Sequence, residues 1–285
     1  MSGKIITLDL NGHTIKNNIE GEQYKGHATI RVEKQGVLTI KDTSESKSGT
    51  IEGINNDKSR EGTVIAVVEE STLTLEGGKI TGNTTTAEGG GIYAHNSTVN
   101  VKDGTVITGN TAAEGGGIYA FSSTVNIFGG VISHNQATSE TMIEGMRPKG
   151  GGGIAIVGNG SELHMSAGLI SENEAQGAGG GIGIRRADYR DDKLIFFMTG
   201  GTITGNTAHY HEGGGIRFDG SEGTIDPIAG NIKITDNICE STADLGGGGI
   251  FVSNASSMTL HNAFIRENKA GGLGGGLASC IHGEV

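Results

Sequence analysis

The side chains best suited to chemistry in this chain fall in short alternating strings. Tyr93 and His95 lie two residues apart, as do Tyr119 and Phe121 in the next stretch of similar sequence. In an extended strand, residues two apart point the same way. The four therefore predict an exposed aromatic patch in a chain that is only 4% aromatic, and such patches stack sugars or bury into a protein partner. A second string is charged. Arg185, Arg217 and Asp219 occupy matching positions further along, with Phe251 beyond them, and Arg185 and Asp219 are placed to pair across neighbouring strands. Glycosidic hydrolysis needs two carboxylates flanking the bond, and a lyase of the pectate type needs clustered acids for calcium and a base. Asp219 stands with two arginines instead, supplemented only by Asp188, Asp191 and Asp192 in a loop, so the string lacks a clear carboxylate pair.

His209, His211 and Glu212 suggest a metal ligand set at first sight. Alternation would point the two histidines in opposite directions, and no second His/Cys pair recurs at ligand spacing, so no metal is expected. Cys239 and Cys280 fall at different points of the repeat described below, which predicts two free thiols. No G-x-S-x-G, no GK[ST] phosphate loop and no dinucleotide fingerprint is present, so no cofactor is expected.

The elements that must position these side chains are repeats. A glycine run followed by one aliphatic residue ends at Ile92, Ile118, Ile154, Ile182, Ile216, Ile250 and Leu277. Each is preceded by Ile-x-x-Asn, with the asparagines at Asn83, Asn110, Asn135, Asn173, Asn206, Asn237 and Asn268. Where nothing is inserted, the marks recur about every 26 to 28 residues, a period that means a stacked array. Three alternating strands per unit are predicted, as in GGGIYAHN, STVNVKD and GTVITGN, with Ile92, Ala94, Val99 and Val101 inward and Tyr93 and His95 outward. Three short strands joined by tight turns predict one coil of a right-handed parallel β-helix. A propeller blade needs about 40 residues, and the calcium-binding nonapeptide helix needs an Asp where Ile, Tyr or Ala stands here. Glycines at the corners would let coils approach backbone to backbone, and asparagines would bond amide to amide up the stack. One solenoid domain over 1–285 is expected, with weakly marked coils in 4–83, fully marked ones in 84–285 and roughly nine to ten coils.

Composition agrees. The chain holds 53 glycines but two prolines and no Gly-X-Y period, which excludes collagen. A net charge of -11 and a pI near 5.3 argue against nucleic acid or an anionic membrane as partner, and no apolar run approaches the length of a bilayer span. Insertions follow the asparagine at 136–149, 207–212 and 238–245, on one predicted edge, and the segment 185–193 lies at the neighbouring edge. Insertions on one edge of a solenoid are frequently its binding face. The start of the chain runs directly into a strand without a hydrophobic signal region, and the last glycine run opens a coil that ends soon after. The first feature suggests either a cytoplasmic protein or an excised segment of a longer one, and the second favours the excised segment.

The paired marks GGG[IL] and IxxN resemble the GGA[ILV] and FxxN motifs of chlamydial polymorphic outer-membrane proteins, autotransported adhesins with β-helical passengers. The third glycine replaces Ala and the Ile replaces Phe. The opening ITLDLNGHTI is similar to the first coil of pectate-lyase-like segments in surface proteins of gut bacteria. Together these motifs span about residues 4–282. The resemblance implies an extracellular location at the bacterial surface, and it maps the family's adhesive tetrapeptide onto Gly89 to Ile92 and Gly115 to Ile118. The expected function is a non-catalytic binding module for a host glycan or glycoprotein such as mucin or immunoglobulin, with Tyr93, His95, Tyr119, Phe121, Arg185, Arg217, Asp219 and Phe251 as contacts. The alternatives are a polysaccharide lyase or glycoside hydrolase, and a purely structural spacer.

Overall fold

The computed structural model describes residues 2–17, 28–53, 55–56, 62–143, 147–187, 194–220, 222–226, 231–242, 246–253 and 256–280. The chain winds as a parallel β-helix whose wall is four parallel sheets, three of nine strands and one of eight. The coil beginning at Ile92 shows the plan: Ile92–His95 forms the first face, Thr98–Val101 the second, Thr105–Thr108 the third and Thr111–Ala112 a short fourth. The fourth face corrects the expected three. Its eight strands among the described residues are each two residues long, too short for any alternation to show in the sequence. The weakly marked coils obey the same plan, because Ile30 pairs with Ile65 and Ile65 with Ile92 in register.

Alternation sends one side chain of each pair into a single continuous core. The column Ile92, Ile118, Ile154, Ile182, Ile216 and Ile250 is stacked rung on rung and fully buried. Where a column thickens, its neighbour thins: Phe196 and Phe218 face one another at 6.5 Å, and Gly223 takes the next place above Phe196. A Cβ there would lie 3.2 Å from the Phe218 ring and 3.1 Å from the Met258 methyl, so the cross-section is conserved by volume exchange.

The asparagines lock the coils axially. Asn173 Oδ1 accepts from both the backbone N–H and Nδ2 of Asn135, each at 3.0 Å, while its own Nδ2 donates to the Ile132 carbonyl at 2.9 Å. The same arrangement recurs from Asn110 to Asn268. Both marks of Ile-x-x-Asn thus belong to one network, since the isoleucine supplies the carbonyl that the asparagine one coil above engages.

A second polar lock closes an N-terminal corner. Asp42, almost fully buried, accepts from the backbone N–H groups of Gly12, Ser44 and Gly49 and from the Ser44 hydroxyl, at 2.6 to 3.2 Å. Burial works to raise its pKa, but the Ser44 hydroxyl and the Gly49 and Gly12 amides outweigh it and hold the carboxyl at about 2. A depressed pKa stabilises the fold fully above the ordinary value of 3.8, and that share is lost as pH falls toward about 2.

Two outcomes follow from these locks. Asn173→Ala strands two donors and a carbonyl in the interior and should cost about 3 kcal/mol or more in urea unfolding, whereas Asn268→Ala, at a half-exposed position, should cost clearly less. Acid titration followed by circular dichroism should show a stability loss in the window from pH 3.8 to about 2 that Asp42→Asn largely removes.

Candidate functional site

The candidate site is the outer surface of the first face, which carries all eight predicted contact residues. Tyr93 and Tyr119 are register partners with rings stacked at 5.6 Å and 10°, and His95 lies over Phe121 at 5.4 Å and 55°. The predicted aromatic cluster therefore exists, but it is not fully open. Tyr119 is buried against Ala155 and Val157, with Tyr93, Phe121 and Ala187 packed around them. Tyr93, His95 and Phe121 remain half-buried and form the accessible rim. Burial first, and the nearby Glu114 second, push the Tyr119 phenol well above its ordinary pKa, so it stays a neutral ring across the physiological range.

The charged string is buried, contrary to expectation. Arg185, Arg217 and Asp219 are 6%, 3% and 3% exposed, and Phe251 is 3% exposed. Arg185 and Asp219 do occupy paired register positions, yet they do not form the predicted surface pair. Arg185 instead reaches two coils along to Glu114, in a two-pronged contact of 2.6 and 2.7 Å. Burial alone would lower the Arg185 pKa, and the Glu114 charge and hydrogen bonds more than offset this, so it is raised. Arg217 lies 3.3 Å from Glu212 and 3.8 Å from Asp219, and Arg186 lies 3.9 Å from Asp219. Lys149 similarly reaches Glu88 at 3.5 Å. The acids Asp188, Asp191 and Asp192 lie outside the described residues.

The residues that sequence reading missed are the glutamates before the glycine runs, Glu88, Glu114 and Glu212. Their signal was the recurring string EGGGI, in which the glycines alone drew notice. The first of the three glycines before the aliphatic residue turns the chain over the outer face. Gly115 has φ +65°, and a Cβ on it would lie 2.5 Å from the Ile118 carbonyl and 2.8 Å from the Tyr119 Cα. Only glycine permits that approach, and the approach sets Glu114 over the sheet beside Tyr119. The following Gly116 packs backbone to backbone, since its Cβ would sit 2.5 Å from the Gln136 carbonyl. All four residues of Gly89 to Ile92 and of Gly115 to Ile118 are buried. The tetrapeptides that the family resemblance marked as adhesive are thus enclosed in the wall of this molecule.

The histidines diverge. His209 sits between Glu240 at 2.8 Å and Glu174 at 3.8 Å, while the His211 carbonyl accepts from the buried Cys239 thiol at 3.2 Å. Burial lowers the His211 pKa against the pull of Glu212, and burial raises that of Cys239. Cys239 and Cys280 are both free thiols. Among the described residues, no three His, Cys, Asp or Glu side chains gather as a metal site.

Truncating Glu114 leaves the Arg185 charge buried without its main partner, so Glu114→Ala should cost about 3 to 5 kcal/mol. In a double-mutant cycle read by urea unfolding, Glu114→Ala with Arg185→Ala should cost much less than the sum of the single changes.

Residues 79–95 match the model of the Chlamydia polymorphic membrane protein repeat. This stretch holds Ile80, Asn83, Glu88, the glycine run and the Tyr93/His95 pair. Comparison with curated proteins and with solved structures gives no match. The chain carries a repeat similar to that of a surface, autotransporter-like protein family, stacked here as a parallel β-helix.

Proposed function

We propose that this chain is a non-catalytic binding segment of a bacterial cell-surface or secreted protein, directed at a host glycan or glycoprotein. The observation that carries the reading is the aromatic rim of Tyr93, His95 and Phe121, held by the buried Tyr119. Ring faces fixed before the ligand arrives pay little ordering entropy on binding, and a sugar ring offers the apolar C–H surface that such faces take. The repeat match to a membrane-protein family supports an extracellular setting.

The charge arrangement supports binding over catalysis. Glycoside cleavage uses a carboxylate pair acting across the scissile bond. On this face Glu88, Glu114, Glu212 and Asp219 each lie within 4 Å of a Lys or Arg, and the network ties the coils together rather than opening to a substrate.

The test is binding to a glycan array, to mucin and to immunoglobulin, with Tyr93→Ala, His95→Ala and Phe121→Ala alongside. Each variant should lower affinity about tenfold, the equivalent of about 1.4 kcal/mol, with little change in the urea midpoint. A flat response of the unaltered chain on all three probes would reduce it to a spacer, and degradation of a uronate polymer would move it to the enzymes.

A further inference from the structure

At the corner between the first and second faces, beside the aromatic rim, the wall changes thickness. Four residues separate Val67 from Thr72, but only three separate Ala94 from Thr98, although Val67 pairs with Ala94 and Thr72 with Thr98. The corner thus draws in by one residue at Asn96. A groove of about 470 Å³ lies along these corners, lined by Lys34, Gln35, Glu69, Glu70 and Asn96. All five have left-handed backbones, with φ between 49° and 60°. Glycine would hold those angles with less crowding of Cβ against carbonyl. The chain carries long polar side chains there instead.

We infer that the groove is a subsite for an uncharged oligosaccharide lying along the rod axis and continuing onto His95 and Phe121. The inference rests on the glycan reading of that face and narrows its ligand. Sugar hydroxyls donate and accept at once, and the groove presents both roles: the Lys34 ammonium and the Gln35 and Asn96 amides donate, while Glu69 and Glu70 accept. Gln35 Nε2 donates to Glu70 Oε2 at 3.0 Å, which orients both side chains. The lining comes from three successive coils, about 4.8 Å apart, so it runs parallel to the axis. Asn96 follows His95 directly and its N–H donates to the Phe121 carbonyl at 3.1 Å, so the end of the groove adjoins the strands that carry the aromatic pair. One ammonium against two carboxylates leaves the groove negative in a chain of net charge -11. Sialylated and sulphated glycans meet repulsion there.

The experiment titrates the full chain with matched neutral, sialylated and sulphated forms of one oligosaccharide series. Neutral members should bind, with affinity nearly constant between about 0.05 and about 0.5 M salt, and the acidic forms should bind at least tenfold more weakly. Lys34→Gly and Glu69→Gly relieve the backbone, so each should keep or raise the urea midpoint while lowering affinity about tenfold. A corner of purely structural role would show the same midpoints with binding unchanged, which would overturn the groove. Glycan binding that survives both glycine variants but is lost in Tyr93→Ala would overturn the groove and leave the aromatic surface standing. Preference for the acidic forms would also overturn it. Absence of binding to any member would remove both readings.

Discussion

In the coils of Asn135, Asn173, Asn206 and Asn237 a buried asparagine amide accepts two hydrogen bonds from the asparagine below and donates into the ladder that continues above. A rod built from parallel coils buries its apolar residues without difficulty, but corners break the sheet ladders and leave peptide groups inside. The asparagine column satisfies them in place of water. Because each amide spans from one coil to the next, the corner of every coil is held at the spacing of the sheets, and registration of the isoleucine columns follows from it. Insertions can then leave the chain just beyond that corner without disturbing the wall, as the extended segment after Gln136–Ala137 does.

The glycine runs solve the adjoining problem. After the short fourth strand the chain must re-enter the first face while nearly touching its own backbone, and a side chain at Gly115 or Gly116 would occupy the space of a carbonyl. The geometric solution has a chemical consequence. Turning the chain over the outer face delivers the preceding residue onto it, and where that residue is Glu114 it meets Arg185 from two coils away. A surface that would otherwise be a plain sheet exterior becomes a seam of buried ion pairs beside a stacked aromatic pair. The seam ties non-adjacent coils, and the aromatic rim packs beside it.

Much of this was legible from the chain alone, and the misses have definite causes. Period-two alternation at Ile92 to His95 assigned inward and outward residues correctly, and the recurrence of Ile-x-x-Asn announced a ladder, because both depend only on neighbours within one repeat. The fourth face escaped because two residues such as Thr111 and Ala112 carry no period. Burial of Arg185, Arg217, Asp219 and Phe251 escaped because outward is a property of a strand, whereas exposed depends on what else crosses it. The glutamates before three of the glycine runs, Glu88, Glu114 and Glu212, stand plainly in the sequence, but their role appears only once the turn at Gly115 is seen to fold back over Tyr119.

The sequence by itself determined the repeat, the direction of each side chain relative to the wall and the stacking of like residues, all consequences of local periodicity propagated from coil to coil. Only the tertiary structure decided which outward residues meet solvent and which partner they choose. Arg185 finds Glu114 rather than the register neighbour Asp219 because a two-pronged contact across a skipped coil is available there, and a distance across coils is set by how the wall folds over itself. The groove at Lys34 and Glu69 likewise gathers residues of three coils, Lys34, Glu69 and Asn96, that are neighbours only when the coils are stacked.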